Sequence, residues 1–222
     1  MQKSTRKVRI SSSIGEVSTL SIIPDNLHSI MILGHGAGAG MQHRFMEGLS
    51  VSLANRGIGT VRYNFPYMEN KKGRPDVPAV AHQTILSIYQ EVERLYPDHK
   101  KVLAGKSFGG RMSSQTAAKN PDLKIQALVF YGFPLHSPAK PGTDRAAHLF
   151  DINVPMLFLQ GDRDTLARLD LLEPLLKKLP LAQLQVMEGA DHSFKFLKKA
   201  GISEAESLEL LARMTNEFLQ KI

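Results

Sequence analysis

No cysteine and no tryptophan occur among the 222 residues. The first absence excludes a disulfide framework, a thiol nucleophile and zinc sites built on thiolates. Aromatic residues amount to only 7%, which argues against a surface that stacks nucleic-acid bases between cations. No stretch approaches the ~18 consecutive apolar residues of a membrane-spanning helix. Residues 1–15 are polar and basic, without the apolar centre of a signal peptide. A cytoplasmic protein with no membrane partner is therefore the default expectation.

What remains has the composition of a folded chain, with 42% hydrophobic and 22% charged residues. The length suits a single α/β domain, so 1–222 is read as one domain with a basic, partly flexible N-terminal segment at 1–15. The net charge is +7. Its cations are scattered apart from short groups at Lys3–Arg9, Lys71–Arg74 and Lys195–Lys199. That pattern reads as a solvated basic surface rather than a nucleic-acid site.

Short apolar runs alternate with longer amphipathic ones. Strands are expected at Val17–Ile23, Ser29–Leu33, Ile58–Tyr63, Lys101–Gly105, Ile125–Tyr131, Val154–Gln160 and Gln183–Met187. Between several of them lie helical patterns, including Ile85, Ile88, Val92 and Leu95, and a last helix opened by the capping pair Ser203 and Glu206. Alternation of this kind implies parallel strands with helices on both faces, and chemistry at the carboxyl ends of the strands. Two segments without periodicity, Asn64–Pro78 and Phe133–Thr143, each follow a strand and are expected to overhang that edge as walls of a site.

Gly105-Lys106-Ser107-Phe108-Gly109 stands between a strand and a helix. This is the pattern of a nucleophile elbow, in which a serine occupies a strained turn and flanking glycines remove the side chains that would collide. A serine hydroxyl needs a base. His192 follows the last expected strand, and Gly161-Asp162-Arg163-Asp164 follows the one before it. The order Ser107, Asp, His192 is that of hydrolases on α/β sheets. Asp164 is preferred to Asp162 as the acid because it lies three residues past the glycine. Asp162 is left to pin the turn or pair with Arg163. Two oxyanion donors are expected, the backbone N–H groups of Phe108 and of Ala37 in the loop Gly34-His35-Gly36-Ala37-Gly38, with His35 bracing that loop.

These stretches, together with His35-Gly36-Ala37-Gly38-Ala39-Gly40, Arg62-Tyr63-Asn64-Phe65-Pro66-Tyr67-Met68 and Leu159-Gln160-Gly161, resemble the α/β-hydrolases. The chain is similar to their small, lidless dienelactone-hydrolase-like subgroup, which also includes the hydrolase-like domain of a nuclear NSL-complex subunit. The resemblance runs from about Val17 to Ile222. It implies a mostly parallel sheet of about eight strands without a large cap domain. It also implies a Ser107, Asp164, His192 triad and hydrolysis of a carboxylic ester or thioester. Dienelactone hydrolases use a cysteine nucleophile, and Ser107 departs from them there, which counts against a dienelactone substrate. Some relatives serve as interaction domains, so a catalytically idle module is the rival reading.

A weaker rival takes the glycine-rich loop as a dinucleotide fingerprint, with Arg62 facing the 2′-phosphate of NADP. The acidic residue expected about 20 positions on is missing. No clustered histidine set or HExxH pair points to a metal, and no cofactor is expected. The substrate is expected to be a small molecule, anionic if Lys106 and Arg111 face it. Tentative pocket residues are His35, Phe65, Tyr67, Lys106, Phe133 and His136.

Overall fold

The computed structural model describes residues 1–222. Eight strands form one sheet: β1 (Gln2–Ser11), β2 (Gly15–Ile23), β3 (Ser29–Gly34), β4 (Ile58–Tyr63), β5 (Lys100–Lys106), β6 (Ala127–Tyr131), β7 (Met156–Gly161) and β8 (Ala182–Met187). Their order is β1-β2-β4-β3-β5-β6-β7-β8. The first two are antiparallel to each other, β2 is antiparallel to β4, and every other neighbouring pair is parallel. The seven expected strands are all present, within two residues at either end.

The N-terminal segment differs from expectation. Instead of a partly flexible lead, Gln2–Ser11 is an ordered edge strand that pairs along its length with β2. Its signal is faint because only Val8 and Ile10 are buried, while Arg9 between them and most of the rest of the strand are exposed. Cations such as Lys3, Lys7 and Arg9 on an edge also discourage pairing with another sheet.

Helices cover both faces. Helices α1 (Arg44–Ala54) and α6 (Glu204–Leu219) pack on one side. On the other lie α3 (Pro78–Leu95), α4 (Phe108–Lys119) and α5 (Leu169–Leu176), while the four-residue α2 (Pro66–Glu69) sits after β4. Strand β3 shows why the central runs are apolar throughout: Ile30 and Ile32 enter one core, Met31 and Leu33 the other. The capping box forms as read, with Ser203 Oγ accepting from Glu206 N–H and Glu206 Oε2 accepting from Ser203 N–H. No helix is long and apolar enough to cross a membrane. The loops after β3, β5, β7 and β8 all leave the same edge of the sheet, the carboxyl edge of its parallel strands.

Candidate active site

Ser107 joins β5 to α4 with φ 50° and ψ −113°, a left-handed conformation costly for a residue with a side chain. The turn is tight enough that β5 and α4 touch: a Cβ on Gly105 would run into the backbone of Gly109 and Gly110. The same turn leaves Ser107 beside the first turn of α4, where N–H groups have no acceptor of their own.

His192 lies in the loop after β8. Its Nδ1–H donates to Asp164 Oδ2 at 2.6 Å, and its Nε2 accepts from Ser107 Oγ at 2.9 Å. A carboxylate accepts only, so Asp164 fixes this tautomer. The Asp164 side chain is fully buried, the His192 side chain 23% exposed. Asp164 Oδ1 receives the N–H of Leu166 at 2.7 Å, and Oδ2 also receives Gln160 Nε2–H. Asp162 does something else: its Oδ1 accepts from Gly189 N–H at 2.7 Å and pins the start of the histidine loop. Asp191 turns away from the imidazole. Its Oδ1 accepts from the N–H groups of Ser193 and Lys195 at 2.8 and 3.0 Å.

On the opposite side of Ser107 stands the glycine-rich loop. The N–H groups of Ala37 and Phe108 have no acceptor within the protein. The loop is held from beneath by the stretch after β4. His35 Nδ1–H donates to Gly36 O at 2.8 Å and its Nε2 accepts from Phe65 N–H at 3.1 Å. Tyr67 Oη accepts from Gly38 N–H at 3.0 Å. Asn64 Oδ1 accepts from Met41 N–H at 2.9 Å, and Arg62 donates to Met41 O at the same distance. Burial drives the His35 imidazole down to about 4, so it stays neutral, as an acceptor at Nε2 requires.

The cleft above Ser107 encloses about 390 Å³. Ala37 and Ala39 line it from the glycine-rich loop, His43 to Met46 from the start of α1, and Leu166, Ser193, Lys195 and Glu204 from the far side. Arg44 and Glu204 meet across it at 3.1 Å. With Lys106 and Lys195 the lining carries three cations against one carboxylate.

The sequence-based walls need correction. Of the six tentative pocket residues, only Lys106 reaches the cleft. His35, Phe65, Tyr67 and Phe133 are buried in the core, because loop aromatics at a sheet edge gain more by burial than by facing water. Phe65 packs edge-on against Phe108 at 5.1 Å. His136 braces a neighbouring loop by accepting from Arg168 N–H at 3.1 Å. Neither Asn64–Pro78 nor Phe133–Thr143 contributes a lining residue. Arg111 faces away too, towards Arg145 and His148. Arg62 is 1% exposed and committed to Met41, so it cannot greet a 2′-phosphate. The helical spacing of Phe45, Met46, Leu49 and Leu53 is legible in the sequence, but the start of α1 was not among the expected walls, although a helix that follows the glycine-rich loop must begin beside it. Gln160 lies in a stretch that carries the resemblance, but the sequence assigned it no role.

The family "Alpha/beta hydrolase domain" matches residues 28–220. A protein of Salmonella typhimurium named "Putative carboxymethylenebutenolidase" is 32% identical over 131 residues, covering 55% of this chain and 47% of that protein. The match thus spans just under half the length of that relative. An α/β serine hydrolase homologue from Coxiella burnetii superposes with a TM-score of 0.76 at 24% identity, over 96% of this chain and 98% of that one. The dienelactone hydrolase of Anabaena variabilis gives a TM-score of 0.78 at 18% identity, over 99% and 97%. A serine hydrolase without a lid from Xanthomonas campestris gives 0.72 at 19% identity, over 97% and 95%. Fold, chain order and family match agree: the chain belongs to the α/β-hydrolase family.

Proposed function

We propose that this hydrolase cleaves carboxylic esters or thioesters of small molecules through an acyl-Ser107 intermediate. The observation that carries the reading is the unbroken hydrogen-bonded line from Asp164 through His192 to Ser107 on the cleft wall. As Ser107 Oγ bonds to the substrate carbonyl carbon, His192 Nε2 takes its proton and Asp164 steadies the resulting imidazolium. The carbonyl oxygen becomes an oxyanion and accepts from the free N–H groups of Ala37 and Phe108. Collapse breaks the bond to the alcohol or thiol, which leaves with the proton from Nε2. Water then gives a proton to His192 and attacks the acyl carbon. The second tetrahedral adduct expels Ser107 Oγ, which recovers its proton, and the acid departs.

The cleft suits short acyl groups better than long lipids, since nothing covers it from solvent. Its excess of cations favours substrates with a negative charge away from the scissile bond. One sheet running from residue 2 to 187, with α6 packed on it, supports the chain acting as one domain. The test is hydrolysis of p-nitrophenyl acetate. The wild-type protein should turn it over, and Ser107→Ala should reduce the rate at least ~10⁴-fold. Equal rates would refute the assignment.

A further inference from the structure

His192 stands in a loop, residues 188–197, that belongs to neither strand nor α-helix, so some contact has to fix its main chain. Lys106, the residue before Ser107, supplies one. Its Nζ donates to the main-chain oxygen of His192 at 2.6 Å. The same ammonium lies 5.5 Å from the centre of the Phe194 ring. Phe194 is itself anchored, buried at φ 59° and stacked on Phe45 at 6.0 Å. Room for the lysine comes from Gly132, where a Cβ would stand 3.1 Å from Lys106 Nζ and 3.4 Å from His192 Nδ1. The end of β5 is thereby tied straight to the histidine loop. We propose that Lys106 is a positioning residue, which fixes the imidazole between Asp164 and Ser107 by holding the His192 carbonyl.

The inference rests on the reading of His192 as the base. A hydrogen bond from an ammonium is shorter and stronger than one from a neutral amine. Burial lowers Lys106 to about 8, against the pull of the Asp164 and Asp191 carboxylates. The remaining charged groups of the cleft are Arg44, Lys195 and Glu204. As pH rises through about 8, Lys106 loses its charge and its grip on the loop loosens, so kcat should fall on the alkaline side.

The test compares wild type with Lys106→Met on p-nitrophenyl acetate and on an ester bearing a free carboxylate. Loss of the tie should lower kcat about 10–100-fold on both substrates, the scale expected for misplacing a catalytic group by an ångström. KM for the neutral p-nitrophenyl acetate should stay nearly constant and the alkaline limb should vanish. A loss confined to KM for the charged ester would make Lys106 a substrate contact and overturn the proposal. So would an unchanged kcat. A second arm needs neither variant nor turnover: in wild-type protein the His192 Nδ1 proton resonance should move as pH passes the lysine's titration. A resonance that stays fixed well beyond that point overturns the proposal even if the variant fails to fold. Because it is read without substrate, this arm separates failure of the tie from failure of the hydrolase reading.

Discussion

Gln160 donates to the same oxygen of Asp164 that meets His192, while its own carbonyl accepts from Phe133 N–H at 2.9 Å. The amide is fully buried at the end of β7, so it links the loops after β6 and β7 behind the imidazole. Replacing it with leucine would leave the Phe133 N–H and part of the carboxylate without partners. A buried group stranded in this way costs about 1–3 kcal/mol. Urea unfolding of Gln160→Leu should show a loss of that order, accompanied by a lower kcat. Wild-type stability in the variant would mean that the network carries no weight.

The two aspartates after β7 should separate cleanly by kinetics. Asp164→Asn keeps the shape but permits the wrong histidine tautomer, and the rate should drop roughly 10⁴-fold. Asp162→Ala removes only the acceptor of Gly189 N–H in an exposed turn. Its cost should be about 1 kcal/mol in stability and a far smaller loss of rate. The reverse ranking in an ester assay would reassign the acid.

Tyr67 tests the support beneath the glycine-rich loop. Tyr67→Phe deletes the acceptor of Gly38 N–H, next to the Ala37 donor. About 1 kcal/mol of stability should go, and kcat should fall more than KM rises, because the loop's donors matter most in the transition state. A variant with unaltered kcat would show that the loop holds its shape without the hydroxyl.

Stability should depend on acid through His35. Its folded value of about 4 lies below the ordinary 6.5, so between those values the unfolded chain binds the extra proton. Stability therefore holds above about 6.5 and is lost as pH falls towards 4. For a shift of this size the loss is about 3 kcal/mol. His148, lowered to about 4 by burial and by Arg111, acts in the same direction. Chemical unfolding at a series of pH values reads the slope, which should flatten in His35→Gln. A variant with the wild-type slope would place the effect elsewhere.

The hydrogen-bonded arrangement of Ser107, His192 and Asp164 was more legible in the sequence than the cleft around it. Asp164 follows a continuous apolar strand, Ser107 and His192 follow strands with shorter apolar runs that the alternation also shows, and parallel topology carries all three loops to one edge. The glycines of the elbow have a steric cause that any sequence shows. Phe65, Tyr67 and Phe133 misled because an aromatic in a loop can either line a cavity or fill a core, and only the packing beneath decides. Arg62 misled for a related reason: an arginine at a strand end is expected in water, whereas here Met41 O receives it under the loop. Strand β1 was hidden because an edge strand needs few inward residues, and two are too few to set a period.

Labelling with a fluorophosphonate probe tests the central claim most directly, since only an activated serine reacts readily. Wild-type protein should take up one probe, located on Ser107 by peptide mass spectrometry, and His192→Ala should label far more slowly. Folded wild-type protein that stays unlabelled, or labels as fast without His192, would contradict the account and favour a catalytically idle interaction module.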